Sequence, residues 1–394
     1  MKQFSKEDIE RAKERFGQLI EGEAARISAM EEAEAPLDFD NMDKIIVGVM
    51  PGDGIGPILM PQALRVMNEL VGYEIESGRI ELREIEGMTI ENRTEKMQSL
   101  PDECLEEIKK CHVLLKGPMA TPSAGDGRPN LISANSMLRR TLDLYAAVRA
   151  VDIKDKGLSF TFFRENIEGE YIWGDKGIQV DDDLAIDFKV QTKRESTRIA
   201  RAAFEYARKN GKKNVTVVTK ANIVKLVDGN FQMAVHEVAK DYPEIEVQDK
   251  LVDATAAKVG DPAFMKGVDV VVLPNLYGDI VTDVAAELQG GLGTASSSNI
   301  GDRYALFEAI HGVGPYFFKI GKQDYANPCS LIRAVGQMLV HIGYPDRNAI
   351  LEQALDICNG PDAKMEVGIQ DGMVSAAEFT DYIIETIREL KKEA

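Results

Sequence analysis

Cysteine is scarce and unpatterned: the four in 394 residues, Cys104, Cys111, Cys329 and Cys358, form no CxxC pair. Free thiols in a reducing compartment are the expectation. No apolar run approaches the roughly 18 residues of a membrane span, and no short apolar core follows a basic start, so neither membrane insertion nor secretion is expected. Basic charge is in the minority. Against 65 Asp and Glu stand 47 Lys and Arg, a formal net charge of -18 that excludes general affinity for nucleic acid or anionic membranes. Any anionic substrate must therefore be met by a local basic pocket. The start of the chain is rich in Glu and Asp, unlike a mitochondrial transit peptide, and a cytoplasmic protein is expected. Gly52, Gly54 and Gly56 of PGDGIGP do not make the GxGxxG spacing of a Rossmann loop. There is no internal repeat.

What is present suits a large globular protein: 44% hydrophobic and 28% charged residues, with length enough for two domains. Ser5 to Ala33 reads as one amphipathic helix, with Ile9, Ala12, Phe16, Leu19, Ala24 and Ile27 at helical spacing. A linker-like EEAEAPLDFDNM follows over 31–42. From Lys44 onward strands and helices alternate, which predicts a largely parallel α/β sheet. Predicted strands lie at Lys44–Met50, Ile80–Ile85, His112–Leu115, Leu158–Phe163, Val215–Val218, Val270–Leu273 and Tyr304–Ile310. A further strand-like stretch runs over Ala185–Thr192. Helices are predicted at Ile58–Leu70, Pro101–Lys110, Ser196–Lys209, Phe231–Lys240, Cys329–His341, Asn348–Cys358 and Ala376–Lys392. GGLGTASSSNIG, Gly290–Gly301, reads as a flexible loop.

The chain is organised around Val268–Asp283, VDVVVLPNLYGDIVTD. An apolar strand, Val270–Leu273, enters a turn at Pro274 and Asn275 and then a helix start. Asp279 and Asp283, four apart, share one helical face, and their oxygens suit Mg²⁺ or Mn²⁺. Taken alone, they read equally as an acidic first turn complementing the helix dipole. SANSMLRRTLDLYAAVR, 133–149, brings Ser133 and Asn135 together with Arg139, Arg140 and, past an apolar strand, Arg149. Arg164 opens RENIEGEY, which ends at Tyr171. Arginines at strand ends in an acidic protein point to bidentate carboxylate binding. The strand Val215–Val218 ends in TKANIVK, which puts Lys220 at its C-terminal end, and Asp253 ends another strand within KLVDATAAK.

Taken together, PGDGIGP, LKGP, LDLYAAVR, RENIEGEY, TKAN, LVDA, LPNLYGDIVTD and FEAIHG before ANP resemble the β-decarboxylating dehydrogenases, the isocitrate, 3-isopropylmalate and homoisocitrate dehydrogenase family. The resemblance runs from about residue 44 to the C-terminus and leaves the N-terminal helix outside it. It implies a two-domain α/β fold, not a Rossmann one, with a mixed sheet shared across a cleft. A helical extension and linker would occupy 1–42, the large domain 43–144 and 291–394, and the small domain 145–290, with an intersubunit clasp at about 169–193. It further implies a homodimer whose active sites are shared across the interface. By the same resemblance Arg139, Arg149 and Arg164 grip substrate carboxylates. Asp279 and Asp283 of one protomer, with Asp253 of the other, hold Mg²⁺ or Mn²⁺. Lys220, from the partner, relays the hydroxyl proton, and Tyr171 returns a proton to carbon.

The substrate it implies is a small 2-hydroxy di- or tricarboxylate. SANSMLRR is similar to the SxN-xxx-R arrangement of isocitrate dehydrogenases, in which Ser133 and Asn135 hydrogen-bond a third carboxylate. The alternatives are a 3-isopropylmalate or homoisocitrate enzyme, or a non-catalytic regulatory subunit. For the nucleotide, NAD or NADP, the implied contacts are Lys116, Thr121, His311, Gly312 and Asn327. HGVGPYFFKIGKQDYANP departs from the family pattern. It carries neither the acidic signature of NAD binders nor the Lys-Tyr pair of NADP binders, and Lys319 or Lys322 stands where a 2′-phosphate would be met. The lean is to NAD.

Overall fold

The computed structural model describes residues 5–28, 30, 36–122, 125–174, 176–291 and 295–393. Twelve strands are present among them: β1 (Ile45–Met50), β2 (Ile80–Glu84), β3 (Val113–Lys116), β4 (Ala146–Ile153), β5 (Leu158–Glu165), β6 (Ile178–Asp181), β7 (Leu184–Ile186), β8 (Asn214–Thr219), β9 (Glu246–Leu251), β10 (Val270–Leu273), β11 (Ser296–Ile300) and β12 (Ala305–Ala309). Ten of these form one sheet in the order β2-β1-β3-β12-β11-β4-β5-β10-β8-β9. The two flanking blocks, β2-β1-β3-β12 and β5-β10-β8-β9, are parallel within themselves. Between them β11 and β4 pair antiparallel with their neighbours, so the blocks run in opposite directions and the sheet is mixed.

The parallel strands read as apolar because helices cover both faces. Val270 to Leu273 are wholly buried; each such side chain contributes about 1.5–3 kcal/mol relative to exposure. The buried apolar residues gather into separate clusters. One is built on β1, β3, β12 and the C-terminal helices Cys329–His341, Pro345–Cys358 and Ala376–Glu393. Others lie on the two faces of the β5-β10-β8 block. All four cysteines are free and buried. No helix of the described residues is long and apolar enough to cross a membrane.

The largest departure from the sequence reading is Gly290–Gly301. Ser296–Ile300 is not a loop but β11, a buried strand at the centre of the sheet. Ser298 and Asn299 find partners inside. Ser298 Oγ donates to Gln337 Oε1 at 2.8 Å, Asn299 Nδ2 to Glu308 Oε1 at 2.7 Å, and Asn166 Nδ2 to Asn299 Oδ1 at 2.9 Å. Residues 292–294 of that stretch lie outside the described residues, as do 29 and 31–35 at the end of the predicted N-terminal helix and in the linker. The helix itself runs Lys6–Ser28. Within Ala185–Thr192 only β7, at Leu184–Ile186, is a strand, paired antiparallel with β6.

Burial of acid groups marks the join between this ribbon and the sheet. Glu165 and Glu195 are buried. Burial, with neighbouring Glu168, pushes Glu165 up to about 8, and burial pushes Glu195 up to about 7. Both bind protons more tightly folded than unfolded, so stability is greatest below their ordinary carboxyl range and is lost as pH rises toward 7–8. Thermal melting should therefore fall between about pH 5 and 8. In Glu165→Gln, whose amide oxygen still accepts from the Ile167 and Glu168 backbone N–H groups, that slope should flatten. An unchanged slope by calorimetry would remove Glu165 from the account.

Candidate active site

Three loops are tied together before any catalytic group is placed. Asp53, buried in PGDGIGP, accepts from Ile90 N at 2.7 Å, Ala120 N at 2.7 Å and Arg93 Nη2 at 2.8 Å. Arg93 is itself buried, and removing one partner of such a pair typically costs about 3–5 kcal/mol. Gly54, at φ +59°, lies where a Cβ would fall 2.1 Å from Val313 O, so the turn after β1 sits directly on the HGVGP loop.

The arginines converge as expected. Arg149 on β4 and Arg164 on β5 occupy neighbouring antiparallel strands and point toward the Asn275–Gln289 helix. Arg149 Nη1 donates to Asp283 Oδ1 at 2.7 Å and also to Thr282 Oγ1. Arg164 Nη1 pairs with Asp279 Oδ1, while its Nε and Nη2 both donate to Asn275 Oδ1, at 2.9 and 2.7 Å. Tyr171 completes the group, its hydroxyl donating to Asp279 Oδ2 at 2.6 Å. Arg139, on the Ala134–Thr141 helix, meets Glu308 at 3.4 Å, and Lys116 meets the same carboxylate at 2.7 Å. That last contact follows from register, because Lys116 and Glu308 face each other across β3 and β12.

Charge in this region is unevenly shared. Burial and then the nearby Arg139 pull Arg164 down to about 10, still protonated at neutral pH. Burial opposes ionisation of Glu308, but Lys116 and Arg139 outweigh it and bring the carboxyl to about 2. For Asp279 burial is likewise outweighed, chiefly by Arg164 and Tyr171, and its pKa falls. Burial, then the bond to Asp279, pushes Tyr171 up to about 12, so its proton is retained.

Lys220 and Asp253 stand apart from this group. Lys220 Nζ lies 2.6 Å from Asp253 Oδ1, with side chains 26% and 63% exposed, and no contact among the described residues links either to Arg164, Tyr171 or Asp279. Asp253 lies in the Val252–Lys258 helix just past β9, not at the end of a strand as the sequence suggested. The Lys220 backbone N–H donates to buried Asp228 at 2.7 Å. Among the described residues no three His, Cys, Asp or Glu side chains meet at one metal position within the chain.

The expected substrate and nucleotide contacts are distributed as follows. Ser133 is the N-cap residue of the Ala134–Thr141 helix without a side-chain cap bond, and Asn135 Oδ1 is buried with no hydrogen-bond partner among the described residues. Lys116 is buried and also donates to Gly117 O at 2.8 Å. Thr121 and Gly312 are exposed; Asn327 is half-buried and its Oδ1 accepts from Cys329 N at 2.9 Å. His311 Nδ1 lies 3.0 Å from Gly312 O, its Nε2 is buried without a partner, and burial holds the ring below its ordinary pKa. Lys319 and Lys322 are exposed. Sequence reasoning missed Asn275, Thr282, Glu308 and Asp228. Asn275 was read only as a turn residue, and Glu308 was visible only as part of FEAIHG.

A mixed ten-stranded sheet with arginines on the neighbouring antiparallel strands β4 and β5 and carboxylates on one helix defines an α/β protein of the isocitrate dehydrogenase type. The chain belongs to the isocitrate/isopropylmalate dehydrogenase family, whose model matches residues 46–383. It is 36% identical over 353 residues to subunit 2 of the mitochondrial NAD isocitrate dehydrogenase of Schizosaccharomyces pombe, covering 87% of each chain. It is 38% identical to a mitochondrial NAD isocitrate dehydrogenase regulatory subunit of Dictyostelium discoideum, covering 87% of this chain and 92% of that one. The crystal structure of isocitrate dehydrogenase from Methylococcus capsulatus matches with TM-score 0.75 at 35% identity, over 87% of this chain and 99% of that one.

Proposed function

We propose that the protein oxidatively decarboxylates isocitrate to 2-oxoglutarate with reduction of NAD, in a homodimer whose two chains each complete the other's active site. The observation that carries this reading is the division of the site. Each chain holds one arginine, tyrosine and carboxylate group and, apart from it, one lysine and carboxylate pair that is partly open to solvent. An apolar stripe, Ile280, Val284 and Leu288, is exposed on the helix that carries Asp279 and Asp283, and Ile223 and Leu226 are exposed just beyond Lys220. A second copy covering these faces would bury that surface and bring the two half-sites together.

The donor set fits a hard divalent cation, Mg²⁺ or Mn²⁺: it is all oxygen, with Asp279 and Asp283 on one helix face and Asp253 supplied by the other chain. In the isolated chain Arg164 and Arg149 neutralise the two helix carboxylates. With substrate bound, the arginines turn to its carboxylates, and the aspartates are freed. A cation held by these aspartates would supply Lewis acidity to the substrate hydroxyl, and a bound nucleotide would accept the hydride. Lys220 of the second chain, acting as the neutral amine, takes the hydroxyl proton as hydride leaves C2. Arg139, Arg149 and Arg164 hold the carboxylates and stabilise the enolate formed when the β-carboxylate departs as CO₂. Tyr171, whose phenol stays protonated, then delivers a proton to carbon.

The Ser133 hydroxyl, which makes no cap bond, and the side-chain NH₂ of Asn135 are donors that a third carboxylate could accept from, which favours such a substrate over one with an isopropyl group. NAD is favoured by the nucleotide in the relatives' names. The separate apolar clusters support the division into a large domain of 43–144 and 291–394 and a small domain of 145–290. Free, buried thiols suit a reducing compartment such as the cytoplasm.

Absorbance at 340 nm, with Mn²⁺ and either NAD or NADP, tests the reading when isocitrate, homoisocitrate and 3-isopropylmalate are offered in turn. Reduction of NAD with isocitrate is expected. Turnover of homoisocitrate or 3-isopropylmalate alone would reassign the substrate. Silence in every combination from folded dimer would leave the regulatory-subunit reading, which the relative in Dictyostelium favours by name.

A further inference from the structure

The Lys6–Ser28 helix lies outside the matched residues 46–383, yet it is fixed to the segment that follows β5. Its anchorage is extensive. Phe16 stacks on Phe188 with ring centroids 5.1 Å apart, Leu19 packs with Ile178 and Val180, and Arg11 Nη2 donates to Val180 O at 2.9 Å. Near its end Arg26 Nη2 reaches Glu168 Oε1 at 2.6 Å. Glu168 has 0% of its surface exposed, and Arg26 is the cation paired with it. Glu23, one turn earlier, holds Arg26 Nε at 2.9 Å and accepts from the indole N–H of Trp173 at 3.3 Å.

From Glu168 a short chain of bonds leads to the substrate arginine. The other carboxylate oxygen accepts from Thr192 N at 2.6 Å, which fixes the segment after β5. The Glu168 carbonyl accepts from Asn275 Nδ2 at 2.9 Å, and Asn275 Oδ1 in turn receives both Arg164 donors. Gly169, at φ +77°, leaves only 3.2 Å between a notional Cβ and Asn275 Cβ, so a shift of this segment displaces Asn275 directly. Tyr171 follows two residues later.

We propose that Arg26 is a positioning residue for substrate binding: by holding the buried Glu168 carboxylate it sets the backbone that orients Asn275, and through Asn275 the guanidinium of Arg164. The N-terminal helix is thus part of the substrate site without touching substrate. This rests on the reading of Arg164 as a carboxylate-binding group.

The test compares the full chain with Arg26→Gln and Arg26→Lys, measuring KM for the hydroxy acid, KM for the nucleotide, kcat, and the emission of Trp173, the only tryptophan. Arg26→Gln is expected to raise the hydroxy-acid KM about tenfold with the nucleotide KM unchanged, and Arg26→Lys to restore most of it. Trp173 emission at the wild-type wavelength would show the helix still seated by its other contacts. A fall in kcat with both KM values unchanged would mean lost folded enzyme alone and would overturn the proposal, as would unchanged kinetics or failure of lysine to rescue. Wild-type protein that turns over no 2-hydroxy acid would sink the functional reading and this inference with it. Active wild type matched by Arg26→Gln sinks the inference alone.

Discussion

Asp279→Asn is expected to lower kcat/KM by about a thousandfold or more while leaving the fold intact. Asp279 bonds both Arg164 and Tyr171, so one carboxylate sets the charge balance of that guanidinium and holds the tyrosine hydroxyl. Asparagine keeps the size and one acceptor oxygen but withdraws the negative charge. Arg164 then remains buried without its carboxylate, and a metal position loses one of the two anionic ligands on its helix. Asp279 is 37% exposed but Arg164 only 1%, so a lowered melting temperature is expected beside the loss of turnover and metal affinity, and the rates are read where the variant is still folded. Steady-state rates across a Mn²⁺ titration measure it. Wild-type rates at every Mn²⁺ concentration would remove Asp279 from the site.

Lys220→Met should cut kcat by about 10²–10⁴ with the hydroxy-acid KM little changed, because the lysine acts on a proton and the arginines carry the binding. Lys220 is well placed for a role outside its own chain: its backbone is fixed by Asp228, and its side chain, paired with the exposed Asp253, is partly open to solvent. Methionine preserves the stem. A large rise in KM with kcat intact would instead make Lys220 a binding group.

Much of this was legible in the residues. β1 and β10 announce themselves as apolar runs rich in β-branched residues, IIVGVM and VVVL, and the four-residue spacing of Asp279 and Asp283 places both on one face wherever the helix lies. β11 was hidden because SSSN carries the composition of a loop; Ser298 and Asn299 are held in the strand by tertiary partners on Gln337, Glu308 and Asn166, and no local pattern reports them. Asn275 was hidden for a related reason. A residue at a strand-to-helix turn looks like punctuation until Arg164, more than a hundred positions away, is seen to rest on it. The separation of Lys220 and Asp253 from the arginine group is a fact of topology that spacing along the chain does not encode.

Complementation between two inactive variants tests the shared site most directly. Lys220→Met and Tyr171→Phe homodimers should each be nearly inactive. Dissociated together and reassembled, they should form hybrids in which one of the two sites combines an intact Tyr171 with an intact Lys220, and random pairing should recover about a quarter of wild-type activity. A mixture shown by native mass spectrometry to contain hybrids, yet no more active than its parents, would contradict a site built from two chains.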